Sequence, residues 1–163
     1  MFFSSSSALK SATIATRELS RITKRYKMFR SVLNKTVTKR SNSTNVSKVY
    51  NFEQFKNLVQ NPSSKVVLVD VREPSELKDY TLPHAINIPY KTNPDALQLN
   101  DSQFHSNMGF NKPSKDKELV FFCAKGIRAS MARDIANKNG YSNTAVYPGS
   151  MTEWLSKGGR DVK

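Results

Sequence analysis

The sequence contains few of the side chains that most often bind transition metals: one cysteine, Cys123, and two histidines, His84 and His105. A single cysteine excludes an intrachain disulfide framework and a cysteine-rich zinc site, and it is compatible with a reducing compartment. No motif places either histidine near the other or near Cys123, so we expect neither a metal site nor a cysteine–histidine pair. Sulfur chemistry at Cys123 would have to be completed on another molecule.

The sequence also lacks any run of about 18 or more apolar residues, the length that a membrane-spanning helix requires. We therefore expect no transmembrane segment. It has no glycine-rich nucleotide-binding loop either, because the one pair of adjacent glycines, Gly158-Gly159, lies near the C-terminus. We expect no cofactor.

Acidic residues are scarce in the first 47 positions, which contain ten Lys and Arg residues and a single acid, Glu18. The net charge is +9 in this segment and +4 in residues 48–163. The second part is thus only mildly basic, and its Lys and Arg residues are not interleaved with aromatic residues. We therefore do not expect a nucleic-acid partner.

The N-terminal segment is rich in Ser and Arg, and its apolar residues recur at helical intervals. This combination is typical of an organelle transit peptide. We predict that residues 1–45 direct the chain through the import machinery to mitochondria, and there to the matrix, and that residues 46–163 form the folded domain. The alternative is a basic disordered tail, solvated or lying on an anionic membrane surface.

From residue 49 onward, short apolar runs alternate with helical patterns. The predicted strands are 49–50, 66–69, 85–88, 119–122 and 144–147. The predicted helices are 52 to about 61, 74–80, 129–139 and 151–155, with a helix and a loop within 93–110. This alternation predicts an α/β domain with a mainly parallel sheet flanked by helices. Ligands of such sheets bind beyond the carboxyl ends of the strands, which is where Cys123 lies.

Cys123 stands between the most apolar predicted strand and the N-terminus of a predicted helix. The unpaired N–H groups and the dipole of a helix N-terminus stabilise an anion, which favours the reactive thiolate. Lys125 and Arg128 add positive charge, and Gly126 permits a positive φ that turns successive N–H groups toward one atom. The alternative is an inert small hydrophobe in the core. Reactivity therefore requires a thiol that reagents can reach at neutral pH.

The six residues 123–128 resemble the Cys-x-x-Gly-x-Arg active-site loop of the rhodanese family. Residues 68–76, Leu-Val-Asp-Val-Arg-Glu-Pro-Ser-Glu, are similar to the family's Asp-Val-Arg-Glu motif. The similarity continues through residues 85–89 and ends at residues 149–154, which match a terminal Gly-x-x-x-x-Trp signature. These motifs follow one another in the family's order and cover about residues 49–163.

The resemblance implies a rhodanese-like fold and thiosulfate sulfurtransferase activity. A thiosulfate-like donor would hand a sulfane sulfur to the catalytic Cys123, which then carries a persulfide, and cyanide or a small thiol would remove it. Backbone N–H groups of the loop would stabilise the anionic sulfur. The implied substrate-binding residues are Ala124, Lys125, Gly126, Ile127 and Arg128.

The sequence leaves two alternatives for Lys125 and Arg128 and suggests a supporting role for two further charged side chains. Lys125 either attracts the donor's oxygens or is simply solvated. Arg128 either contacts substrate or braces the loop, in which case we expect it to pair with Asp70 or Glu73. We expect Asp70 and Arg72 to lie behind the loop without touching substrate.

Two alternative functions remain at this stage. The first is a non-catalytic rhodanese-like module that binds a partner protein, although the intact loop argues against it. The second and lesser is a cysteine-dependent phosphatase, whose loop, by family knowledge, is longer than the six positions counted here.

The sequence departs from the family pattern at two places. Residues 80–85 lack the usual glycines and carry His84 where Gly is often found, so we expect a different turn. Ala124 stands where Arg is common, which leaves the natural donor open.

Overall fold

The computed structural model of the chain describes residues 48–162. The predicted leader, residues 1–45, lies outside these described residues. Within them, no helix is long and apolar enough to cross a lipid bilayer.

The described residues form a five-stranded sheet. Its strands are β1 (Lys48–Val49), β2 (Val66–Asp70), β3 (Ala85–Asn87), β4 (Glu118–Phe122) and β5 (Thr144–Val146). They are ordered β1-β5-β4-β2-β3, and every pairing is parallel, which confirms the predicted sheet type. β4 is central and all five of its residues are buried, because helices cover both faces of the sheet.

Residues 48–162 also form four α-helices and three short 3₁₀-helices, which lie between the strands or follow the last of them. The α-helices are α1 (Phe52–Gln60), α2 (Asp101–Met108), α3 (Ile127–Lys138) and α4 (Ser150–Ser156). The 3₁₀-helices are Pro74–Leu77, Ala96–Gln98 and Gly159–Asp161. The start of α1 follows from its sequence. The Asn51 side chain accepts the Gln54 N–H at 2.9 Å, and the Gln54 side chain accepts the Asn51 N–H at 3.0 Å.

Alternate residues of the central strand contribute to two apolar clusters, one on each face of the sheet. Phe121 belongs to the cluster that contains Cys123 and the buried face of α3. Phe122 belongs to the other, where Phe55 packs edge-on against Trp154 with ring centroids 5.6 Å apart. The two-residue period of a strand thus places the chain segment that precedes Cys123 in both cores.

Two predicted boundaries are wrong by a few residues. The helix expected over 74–80 is a 3₁₀ turn that ends at Leu77. α3 begins at Ile127 rather than at residue 129, because Gly126 takes a φ of +87° and turns the chain directly into the helix. The end of α3 agrees with its sequence, because the cap residue Asn139 is followed by Gly140 with a φ of +85°, the left-handed conformation that glycine favours at a helix end.

The turn before β3 contains a residue in the left-handed region although it has no glycine. His84 adopts a φ of +60° and is exposed. A histidine tolerates this conformation better than β-branched residues do. The positive φ is therefore accommodated by His84 itself.

Candidate active site

Cys123 follows the last residue of the central strand, and α3 begins four residues later. The Gly126 N–H donates to Cys123 Sγ at 3.1 Å. Of the amides in residues 124–128, this is the one within hydrogen-bond distance of the sulfur. Gly126 adopts the positive φ expected from the sequence, and its backbone turns the amide back toward Sγ.

The thiol itself is deeply placed, since Cys123 is only 2% exposed and belongs to the apolar cluster beneath α3. The exposed residues of the loop are Lys125 and Ile127, the latter 67% exposed. Lys125 forms no ion pair with any of the described residues, so its ammonium group is available to a ligand.

The first turn of α4 holds the carbonyl groups of the loop. The Met151 N–H donates to Cys123 O at 3.0 Å, and the Thr152 N–H donates to Ala124 O at 3.0 Å. The Thr152 hydroxyl donates to the same Ala124 oxygen at 2.9 Å. The loop is thus fixed by hydrogen bonds to a segment 28 positions further along the chain.

Ser150 lies directly behind Cys123, a contact that the sequence gave no reason to expect. Its Oγ accepts the Cys123 N–H at 3.1 Å, donates to Tyr147 O at 2.9 Å and lies 4.0 Å from Cys123 Sγ. Ser150 is fully buried and has a φ of +49°, so it is one of the two non-glycine residues in the described part of the chain with positive φ. The Gly149–Trp154 motif contains this serine, but nothing in the motif indicates its neighbours.

Arg128 braces the loop through a different carboxylate from those expected. Its guanidinium makes two bonds to Glu76, of 2.6 and 2.8 Å, and neither Asp70 nor Glu73 is its partner. Glu73 instead accepts the Lys91 N–H at 2.8 Å. The prediction is wrong because the short 3₁₀ turn carries Glu76, rather than Glu73, toward the start of α3.

The Arg128 bonds lower the pKa of the Glu76 carboxyl to about 2, aided by the Glu73 N–H and opposed by partial burial. A carboxyl with a lowered pKa stabilises the fold above its unfolded pKa of about 4.3, and that stability is lost as pH falls toward 2. Glu76 is 35% exposed, so solvent screening limits the contribution to about 1 kcal/mol.

We therefore expect Glu76→Gln to lower the free energy of unfolding by about 1 kcal/mol at pH 7 and to have little effect near pH 2. Urea unfolding of both proteins across this range measures the difference. Asp79→Asn is the matched control, because Asp79 lies three positions further along the chain and forms no ion pair with the described residues. A Glu76 effect that is equally large at both pH values would contradict the assignment.

Asp70 and Arg72 form a buried ion pair at the carboxyl end of β2. They are 2% and 6% exposed, and Arg72 Nη2 lies 2.7 Å from Asp70 Oδ2. Arg72 also donates to the backbone oxygens of Glu76 and Tyr80, at 3.1 and 3.0 Å. The pair thus fixes the segment that presents Glu76 to Arg128, and it has no hydrogen bond to the 123–128 loop.

An open groove of about 300 Å³ adjoins the loop, with Ala124, Glu76, Thr152 and Leu155 among the residues that line it. It is large enough for a small thiol or the end of a peptide. Within residues 48–162, no group of three His, Cys, Asp or Glu residues is arranged to hold a metal ion.

Fold and loop together define a class of protein: a parallel α/β domain whose one thiol lies in a strand-to-helix loop at the carboxyl edge of the sheet. The Rhodanese-like domain family matches residues 51–157. The chain belongs to this family, and the predicted family and fold are confirmed.

The chain is also similar to individual proteins of this family. The chain is 53% identical over 128 residues to the mitochondrial thiosulfate sulfurtransferase RDL2 of Saccharomyces cerevisiae, covering 78% of this chain and 86% of that protein. It is 46% identical over 134 residues to a thiosulfate:glutathione sulfurtransferase of the same yeast, covering 81% and 96%. The crystal structure of the single-domain RDL2 has a TM-score of 0.71 at 55% identity, covering 74% of this chain and 98% of that one. The first relative's name supports a mitochondrial location for this chain.

Proposed function

We propose that this chain is a thiosulfate sulfurtransferase in which Cys123 carries the sulfur as a persulfide. The observation that supports this most strongly is the contact between the Gly126 N–H and Cys123 Sγ at the N-terminus of α3. An amide donor and a helix dipole both favour negative charge on that sulfur. The 53% identity to a protein named for this activity points the same way.

In the first half-reaction, the Cys123 thiolate attacks the outer sulfur of thiosulfate. The new S–S bond forms as the S–S bond of thiosulfate breaks, and its electron pair leaves with sulfite. Thiolate and thiosulfate carry three negative charges together, as do the persulfide anion and sulfite, so the step is balanced without a redox partner. Lys125 and the loop amides attract the dianionic donor and hold the terminal sulfur.

In the second half-reaction, an acceptor nucleophile attacks the outer persulfide sulfur and Cys123 leaves as the thiolate. Cyanide gives thiocyanate, and a thiolate gives a new persulfide. The acceptor must be another molecule, because the chain has no second cysteine. A relative named for transfer to glutathione supports a small thiol as the natural acceptor, and the groove beside Ala124 provides space for it.

Arg128 serves in this proposal as a brace rather than as a substrate ligand, because Glu76 occupies its guanidinium. Asp70 acts one step further away, by pairing with Arg72. Arg72 fixes the segment that carries Glu76 and also lines the groove proposed for the acceptor. The substrate-binding atoms are thus the backbone N–H groups of residues 124–128 and the ammonium group of Lys125. Side-chain recognition of the donor is slight, which suits a small inorganic anion.

The test is to incubate the protein with thiosulfate alone and to measure its intact mass by mass spectrometry. Cyanide is then added and the mass is measured again. We expect the mass of one added sulfur atom, its loss on cyanide addition, and release of thiocyanate over many turnovers. Iodoacetamide in place of thiosulfate measures whether Cys123, at 2% exposure, can be reached. Absence of added sulfur together with an unreactive thiol would overturn the proposal and favour a module that binds a partner protein.

We also propose that residues 1–45 are a leader that takes the domain, residues 46–163, to the mitochondrial matrix. The support is the charge of +9 in the first 47 residues and the mitochondrial name of the relative RDL2. A fluorescent reporter fused to residues 1–47 is expected to enter the matrix. The control carries Arg17, Arg21 and Arg25 changed to Glu and should remain outside. A cytosolic signal from the unaltered fusion would contradict the leader.

A further inference from the structure

We propose that Ser150 is a positioning residue for the reaction, whose hydroxyl hydrogen moves from Tyr147 O to Cys123 Sγ when that sulfur is an anion. The inference rests on the proposed function in one respect: it assigns a role to the sulfur-free thiolate. The backbone of Ser150 has an unusual conformation. A non-glycine residue at φ +49° that is also fully buried carries a conformational cost and a desolvation cost together.

The hydroxyl of Ser150 offsets part of these costs through its two short hydrogen bonds. One lone pair accepts the Cys123 N–H at 3.1 Å, and the single hydrogen points to Tyr147 O at 2.9 Å. The first bond holds the backbone of Cys123 itself, so the serine fixes the position from which Sγ is presented. A glycine at this position would relieve the strain but would leave the Cys123 N–H without its partner.

The hydrogen has a second acceptor within reach. Cys123 Sγ lies 4.0 Å from Ser150 Oγ, too far for a strong bond to a neutral thiol. A hydroxyl rotates freely about its C–O bond, and a charged acceptor makes a bond roughly twice as strong as a neutral one. A small closing movement therefore lets the thiolate compete with Tyr147 O for the hydrogen.

This competition distinguishes the two states of the enzyme. In the persulfide state the negative charge lies on the outer sulfur, which the loop amides face, and the Ser150 hydrogen stays on Tyr147 O. In the sulfur-free state the charge lies on Sγ and the hydrogen turns to it. Ser150 thus stabilises the nucleophile of the first half-reaction, which is also the leaving group of the second.

The elements packed around Cys123 carry several charged groups. Arg128 on α3 interacts electrostatically with the Cys123 charge, and Glu76 compensates it. The other charged groups, carried by the loop itself and by the elements next to it, are Lys125 in the loop, the Asp70–Arg72 pair at the end of β2 and Glu153 on α4. Substitution of Ser150 alters none of these side chains, so a change in the pH dependence of Cys123 alkylation reports the loss of the Ser150 hydroxyl, including its bond to the Cys123 N–H.

The experiment compares wild type, Ser150→Gly and Ser150→Ala by the pH dependence of iodoacetamide alkylation of Cys123, the chain's one thiol. Glycine takes φ +49° without strain, so this variant keeps the backbone while it lacks the hydroxyl. We expect its alkylation midpoint to rise by about one pH unit, and alkylation at neutral pH to slow about tenfold. Ser150→Ala, if it folds, should show the same rise.

The alkylation midpoint of Ser150→Gly decides the matter. An unchanged alkylation midpoint in folded Ser150→Gly would overturn the proposal and leave Ser150 a purely structural residue. Thermal unfolding of the same samples establishes that the variants are folded. Alkylation requires no sulfur donor, so its result is independent of whether wild type forms a persulfide, and failure of the proposed function is recognised separately by the mass measurement.

Discussion

Replacing Cys123 with serine is expected to reduce thiocyanate formation at least about a thousandfold, to the level of the uncatalysed reaction. An alcohol is not ionised near neutral pH even at a helix N-terminus, and it cannot form the S–S bond that stores the transferred sulfur. Because no other cysteine is present, no neighbouring thiol can substitute. Intact-protein mass spectrometry after thiosulfate should show no added sulfur.

The fold should survive this change. Serine is close to cysteine in size, and its oxygen can accept the Gly126 N–H that now contacts Sγ at 3.1 Å. The cost of placing a hydroxyl at a position only 2% exposed should not exceed about 2 kcal/mol. Circular dichroism and thermal unfolding serve as the control. Substantial turnover by a folded Cys123→Ser protein would remove Cys123 from the reaction.

Gly126→Ala is expected to lower the free energy of unfolding by about 2 to 4 kcal/mol and to reduce turnover at least about tenfold. A Cβ at this position would lie 2.4 Å from Pro148 O and 3.1 Å from Pro148 Cα, both backbone atoms. The residue also has a φ of +87°, which an alanine adopts at a cost of about 1 to 2 kcal/mol. Relief of the clash moves the loop, and with it the amide that contacts Sγ.

Gly109→Ala separates these two effects. Gly109 has a φ of +79°, but a Cβ there would meet no atom within 4 Å. This variant should lose only the conformational part, about 1 to 2 kcal/mol, and its turnover should match wild type. Urea unfolding and thiocyanate formation are measured on both variants. Equal losses of stability in the two would show that Pro148 does not constrain the loop.

The sequence was sufficient to predict the sheet type and the position of Cys123 because both depend on local patterns. An uninterrupted apolar run marks a strand covered on both faces, and β4 is such a strand. The turn into α3 was equally readable, since only glycine adopts φ near +87° without cost. The helix starts two residues earlier than predicted, because Gly126 turns the chain directly into α3.

The partners of Arg128 and Ser150 could not be read from local patterns. Three acidic residues, Asp70, Glu73 and Glu76, lie within seven positions, and the choice among them depends on the 3₁₀ turn that rotates Glu76 toward α3. Ser150 reaches Cys123 across 27 positions of sequence. Such contacts depend on how β5 pairs with β4, which only the assembled sheet determines.

The hydrogen bonds from Met151 and Thr152 to the carbonyl groups of Cys123 and Ala124 have a consequence for the timing of activity. A growing polypeptide contains the thiol before it contains the segment, 28 positions further along, that holds the loop around it. The pocket therefore cannot form until residues 150–152 have been synthesised and have packed against the loop. In an unfolded chain Cys123 is an ordinary exposed thiol, and the setting that favours sulfur transfer is acquired only with the fold.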